Sequence, residues 1–153
     1  MTFSLAIQHG DIGLEGNSFA TVEGEQKLTQ DLSCALLTPI GSNTNYPTYG
    51  SGLDGGIGPN GEMSSVFGET DASYVATRVR SELNRICSNY QEAQIARSER
   101  DSAVYGKTTI SQGEMLIEVE NIQIQQAQDN ILASVTLKVG SGTIQIHIPI
   151  GEK

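Results

Sequence analysis

Short alternating runs of apolar and polar residues open the chain. FSLAIQ is followed by the turn-like HGD, then by DIGLE, and Gly16 and Asn17 lead into SFATVE. A period of two between turn residues predicts small strands joined by hairpins. From Glu25 the period changes: Leu28, Leu32, Ala35 and Leu36 fall on one stripe, as an amphipathic helix requires, and Pro39 and Gly41 stop it. Residues 38–70 hold three of the four prolines and many glycines, which predicts an extended, irregular connection with no sheet element. Asp71 is placed to cap a second helix, in which Val75, Val79, Leu83, Ile86 and Tyr90 recur every three or four residues. Its other face carries Arg78, Arg80, Glu82 and Arg85, and residues 91–104 are expected to continue the helix after a bend.

The final third returns to a period of two. Met115, Ile117 and Val119 alternate, but Ile122 and Ile124 lie in the opposite phase, so a bulge near Asn121 or an exchange of faces is expected. Leu132 stands outside the pattern that Val135, Leu137 and Val139 follow. GSG at 140–142 turns the chain into TIQIHIPI, where Ile144, Ile146, Ile148 and Ile150 define one apolar face and make the last two strands a hairpin. The expected class is α+β, in a single domain over 1–153: hairpin strands in 1–22, two main amphipathic helices and a long loop in 23–104, and an antiparallel sheet in 114–150.

At 153 residues and 16.3 kDa, one core is expected, and with 5% aromatics and no Trp it must be built from Leu, Ile, Val and Ala. A net charge of -9 repels phosphate backbones, so nucleic acid is not an expected partner. No apolar run is long enough to cross a bilayer and MTFSLAIQHG lacks a secretion pattern, so a soluble product with no membrane partner is expected. Cys34 and Cys87, widely separated, read as free buried thiols of a reducing compartment.

GSGLDG at 50–55 matches the dinucleotide template G-x-G-x-x-G, but NTNYPTY precedes it and GIGPNG follows it. Neither a buried strand nor a helix N-terminus is then available for a pyrophosphate. His9 and His147 stand apart with no ligand cluster at metal spacing, and no G-x-S-x-G elbow occurs. Glu62, Glu69 and Asp71 lie near one loop and are the carboxylates that a glycosidase reading would use, against a plainer reading as solvated charge. No catalytic, cofactor or metal residues are expected.

One stretch is more specific. A helix with Gln30, Asp31, Leu32, Leu36 and Leu37 ends in Leu37, Thr38, Pro39 and Gly41, after which Pro47, Tyr49, Gly50, Ser51, Gly52 and Leu53 complete P-x-Y-G-S-x-L. This resembles the baseplate wedge family of contractile phage tails, small proteins long labelled tail lysozymes, with relatives in type VI secretion baseplates. The order of elements resembles that family over nearly the whole chain. One departure stands out: the family closes its second helix with Glu-Pro-Arg, where this chain has Glu92, Ala93 and Gln94 before Ile95. An amide cannot replace an arginine fork, so the resemblance implies that the wedge contact made by this tripeptide is altered or lost. Residues 97–113 are also longer than the family's usual connection.

The resemblance implies a virion protein without enzymatic activity, assembled in the host cytoplasm into the tail baseplate in a six-fold arrangement. Its implied partners are the tail sheath protein, other wedge proteins, and the tail tube or hub. Sheath arms would add strands to an unpaired sheet edge, for which the hairpin carrying Ile144, Ile146 and Ile148 is the candidate acceptor. Arg78, Arg80 and Arg85 are candidate contacts for acidic wedge partners, beside the plainer reading of a solvated helix face. Two other classes stay open: a cell-wall hydrolase, and a ligand-binding or regulatory module unconnected with tails.

Overall fold

The N-terminal alternation does produce strands, but they pair in a pattern that the sequence did not suggest. In the computed structural model, which describes residues 3–9, 11–58, 61–67, 70–127 and 130–150 but not the side chains of 56–64, six short strands occupy the first 23 positions. They are β1 (Phe3–Leu5), β2 (Ile7–Gln8), β3 (Asp11–Ile12), β4 (Leu14–Glu15), β5 (Ser18–Phe19) and β6 (Thr21–Glu23). β2 pairs with β3 and β4 with β5 as hairpins, while β1 closes the set by pairing with β6. FSLAIQ is therefore broken at Ala6. Ala6, Gly13 and Ala20 are buried pivots, and their backbones form a ring: Ala6 N–H donates to Ala20 C=O (2.8 Å), Ala20 N–H to Gly13 C=O (2.9 Å), and Gly13 N–H to Ala6 C=O (2.7 Å). Only small residues let three chains meet this closely.

This clover of three strand pairs, β1 to β6, is fastened to helix α1 (Gly24–Leu37) by Gln30, whose Oε1 accepts from Ile7 N–H and whose Nε2 donates to Leu5 C=O, both at 2.8 Å. α1 buries Leu28, Leu32, Ala35 and Leu36, the stripe expected from the sequence. The loop expectation for 38–70 needs correction. β7 (Asp54–Gly58) and β8 (Gly61–Ser65) form an antiparallel hairpin within it, prolonged by Val66 N–H donating to Leu53 C=O at 2.7 Å. Gly55, Gly56 and Gly58 leave no side-chain period to detect in the sequence.

Helix α2 (Ala72–Tyr105) runs unbroken for 34 residues, roughly 50 Å, so residues 91–104 continue it as expected. Asp71 caps it as expected, accepting from Ser73 N–H (3.0 Å) and Tyr74 N–H (3.2 Å), and Gly106 at φ 72° ends it.

β9 (Leu116–Ala127), β10 (Asn130–Val139) and β11 (Gly142–Ile150) form an antiparallel sheet in the order β11-β10-β9, so the class is α+β. The phase conflict in β9 is resolved by two register shifts. Leu137 faces Val119 while Thr136 faces Asn121, and Val139 faces Leu116 while Lys138 faces Glu118, leaving Glu120 and Ile117 as bulged residues. Each extra residue flips the phase, so Leu116 and Ile122 are buried and Ile117 is exposed. In β10 the buried series starts at Ile131 and runs through Ala133, Val135, Leu137 and Val139, which puts Leu132 on the opposite face. Together with Ile146, Ile148 and Ile150 these residues meet Leu28, Leu32, Val75, Val79 and Leu83 in one core.

Replacing Asp71 with Ala removes the α2 cap and should lower stability by about 1 kcal/mol, read as a shift in the urea midpoint.

Candidate functional site

The P-x-Y-G-S-x-L segment folds back onto the end of α1. Ser51 N–H donates to Thr38 C=O (2.8 Å), Ile40 N–H donates to Ser51 C=O (2.9 Å), and the Ser51 hydroxyl donates to Leu36 C=O. Carbonyls in the last turn of a helix have no partner within it, so this loop serves as the cap of α1. Gly50 makes the approach possible. Its φ is 103°, and a Cβ there would stand 2.5 Å from Thr38 O, closer than any side chain tolerates.

Helix α2 holds the loop in place. Glu82 accepts from Gly52 N–H (3.0 Å) and from Arg85 (2.8 Å), whose guanidinium also donates to Gly50 C=O (2.6 Å) and Thr48 C=O (3.3 Å). Arg78 donates to Gly52 C=O at 3.2 Å. Arg78 and Arg85 are thus engaged within the chain, while Arg80 is exposed. Glu82, placed by sequence on the solvated face, is 4% exposed. It lies three residues after Val79 and four before Ile86, inside the apolar stripe, and a lone acid in that position was the readable signal of a buried polar role. Leu53, which ends the motif, is buried; Leu37 and Tyr49 remain exposed.

A second polar cluster, not foreseen, joins α1 to the entry of β9. Lys27 bonds to Asp31 and lies 3.0 Å from Glu114, and the Tyr90 hydroxyl donates to Asp31 at 3.0 Å. Burial by itself would depress the Lys27 ammonium, but its bonds to Asp31 and Glu114 outweigh burial and hold it above its ordinary range. Burial first, then the Asp31 and Glu114 charges, raise the Tyr90 phenol, and burial pushes the free Cys87 thiol up to about 11.

The tripeptide position lies beside this cluster. Gln94 is buried, its amide donating to Glu114 C=O (2.7 Å) and accepting from Leu116 N–H (2.9 Å). It clasps the start of β9 from within. Glu92 is exposed, and Ala93 lines a cavity of about 340 Å³ between α1, α2 and the loop, with Tyr49 and Tyr90 as walls.

The sheet has two outer strands, and they differ. The β9 edge is broken by the bulges at Ile117 and Glu120, and Gln91 donates to the carbonyls of Leu116 and Ile117. β11 pairs with β10 without a register shift, and no described strand lies on its other side. Pro149, opposite Leu132, has no N–H to give, so it fits a position whose N–H would point away from β10. Counting by two, Thr143, Gln145 and His147 turn their N–H and C=O groups outward. The two-residue turn Gly140–Ser141 closes on the bonded pair Val139 and Gly142 and yields the same phase. Ile146 and Ile148 bury their side chains and Ile144 is half-buried. Between this edge and α1 runs a groove of about 860 Å³ walled by Ile7, Val22, Cys34 and Leu37.

Ser134 Oγ and His147 Nδ1 are 2.9 Å apart across β10 and β11, brought together by the strand register. They form a cross-strand pair, and no third group is bonded to either ring nitrogen among the described residues. Of the three carboxylates near the loop, Asp71 is the cap of α2, while Glu69 and the Glu62 side chain lie outside the described residues. GSGLDG runs into β7 and not into a helix.

No protein-family model matches the chain, and no curated protein matches it. The fold is similar to that of a solved structure described as a "putative tail lysozyme" from Geobacter sulfurreducens, with a TM-score of 0.50 and 16% identity over 84% of this chain and 91% of that one. At that identity the likeness is one of fold.

Two outcomes follow from the polar clusters. Glu82→Ala leaves Gly52 N–H and the Arg85 guanidinium without their acceptor and should cost about 3 kcal/mol, whereas Arg80→Ala should change stability by less than about 0.5 kcal/mol in the same urea titration. Lys27, Tyr90 and Cys87 all have raised values, so the stability they contribute is present below their unfolded values and lost as pH rises through the folded ones. Stability should be level near pH 8 and fall above about pH 9, where the thiol of unfolded Cys87 begins to lose its proton, and Tyr90→Phe should flatten part of that fall at higher pH.

Proposed function

We propose that this chain is a structural part of a contractile tail baseplate wedge, and that it nucleates the first sheath ring by accepting a sheath strand along β11. The observation that carries this reading is the unbulged outer edge of β11, with outward backbone groups at Thr143, Gln145 and His147 beside a groove of about 860 Å³. A strand added about 4.8 Å from β11 would lie in that groove, one face against Leu37, Val22 and Ile7. Main-chain bonds would supply the joint and the groove its side-chain preference. Pro149 would end the added ladder, since it offers no donor. The motif resemblance and the fold shared with a protein named for phage tails support the same class.

In this reading the chain makes and breaks no bonds. Its partners are the sheath protein and the other wedge proteins, and its place is the tail baseplate of the virion. A cell-wall hydrolase draws on the name of the structural neighbour, and cleavage of a glycosidic bond would call on a carboxylate pair, for which Glu62 and Glu69 are the sequence candidates. That reading predicts release of peptidoglycan fragments by the purified protein and loss of release in Glu62→Gln.

The strand reading is tested with Gln145→Pro. Its N–H points outward, so the β10 ladder keeps its bonds and the fold should survive, while an incoming strand loses its central donor. Mixed with the cognate sheath and tube proteins, wild type should seed sheath of tube length and the variant should not, as counted by electron microscopy. Seeding by the variant at the wild-type level would defeat the strand-acceptor reading.

A further inference from the structure

The last third of α2 carries a surface that the strand edge does not use. Beyond Gln94, only Asp101 of this helix is buried, and Val104 and Tyr105 are 65% and 67% exposed. Arg97, Arg100 and Val104 are spaced by three and four and so share one stripe. Phe3 of the clover, 63% exposed, stands across from them, and together they line a shallow groove of about 540 Å³.

The charge of this groove is opposite to that of the chain. On a protein of net charge -9, two guanidiniums meet one carboxylate here. That carboxylate, Asp101, accepts from the Thr109 hydroxyl and lies 3.8 Å from Arg97 Nε, while Arg100 makes no ion pair among the described residues. Arg78 and Arg85, by contrast, are tied to loop carbonyls and Glu82. Exposed aromatic and arginine side chains side by side are the composition of interface hot spots.

We propose that this groove docks an acidic segment of a protein partner, its carboxylates meeting Arg97 and Arg100 and an apolar side chain seated between Phe3, Val104 and Tyr105. An anionic lipid surface offers the same charge, but over a plane far wider than the groove, where it would also meet the acidic remainder of the chain, whereas a short segment meets the two arginines locally. A second copy would have to bring two strongly acidic molecules together. The inference does not depend on strand addition at β11.

The test titrates isotope-labelled full-length protein with two synthetic peptides, one alternating Glu with Leu and Phe, the other with Lys in place of Glu, while amide resonances are followed. The acidic peptide should shift Phe3 and residues 97–105 saturably, and the basic peptide should not. Arg97→Glu with Arg100→Glu should weaken binding at least about tenfold, with the remaining spectrum unchanged. Val104→Ser should weaken it too, and Gln145→Pro should leave it unaltered. The proposal fails if the acidic peptide produces no saturable shift at these residues, if the basic peptide binds as well, or if the charge reversals have no effect. It also fails if the same resonances move with protein concentration alone, or respond more strongly to vesicles of phosphatidylcholine and phosphatidylglycerol than to the peptide.

Discussion

A single buried carboxylate organises the middle of this protein. Glu82 sits within the apolar stripe of α2, where an unpaired charge would be intolerable, and it is tolerated because Gly52 N–H and Arg85 converge on it. That requirement fixes the loop. With Gly52 held, Ser51 is placed to cap the carbonyl of Leu36, and Gly50 must pass so close to Thr38 that no side chain fits. α1, the loop and α2 are therefore one unit, and the core beneath them inherits its alignment. The conspicuous glycines of GSGLDG are explained by this approach of backbone to backbone, and two of the arginines on α2 by the carbonyls they hold.

The sheet shows the same economy of means at its edges. An exposed, regular strand edge invites pairing with other chains, and proteins commonly blunt such edges. Here the β9 edge is interrupted by two bulges and engaged by Gln91, whereas β11 keeps an even ladder ending only at Pro149. The difference lies in the sequence. β9 turns Leu116, Val119, Ile122 and Ile124 toward the core, spacings that demand extra residues, while β11 carries Ile at strict alternation. One edge is thereby closed by the constraints of its own core packing and the other left open.

Much of this fold could be read from periodicity and turn residues: both helices, the cap at Asp71 and the stop at Pro39, the β10–β11 hairpin and the bulge in β9 all follow from local patterns. What escaped has physical causes. β7 and β8 are written largely in glycine, which carries no side-chain period. β1 closes on β6 through a ring of backbone bonds among Ala6, Gly13 and Ala20, an arrangement that alternation within each strand cannot encode. The buried polar residues were assigned by type to the surface, although Glu82 and Gln94 both stand on the helical stripe of Val79, Leu83, Ile86 and Tyr90. The Ser134–His147 proximity depends on strand register, which becomes visible only once β10 and β11 are paired.

Position 93 links several of these features. A proline there, as in the tripeptide of the family this chain resembles, would remove a helical bond and clash with the preceding turn, ending α2 near that point. Ala93 lets the helix run on to Tyr105. Gln94 then falls inside the helix, at the right height to clasp Glu114 and Leu116, and so positions the start of β9. The added turns must return through residues 106–115 before β9 can begin, which accounts for the long connection read from the sequence. They also carry Arg97, Arg100, Val104 and Tyr105 away from the core.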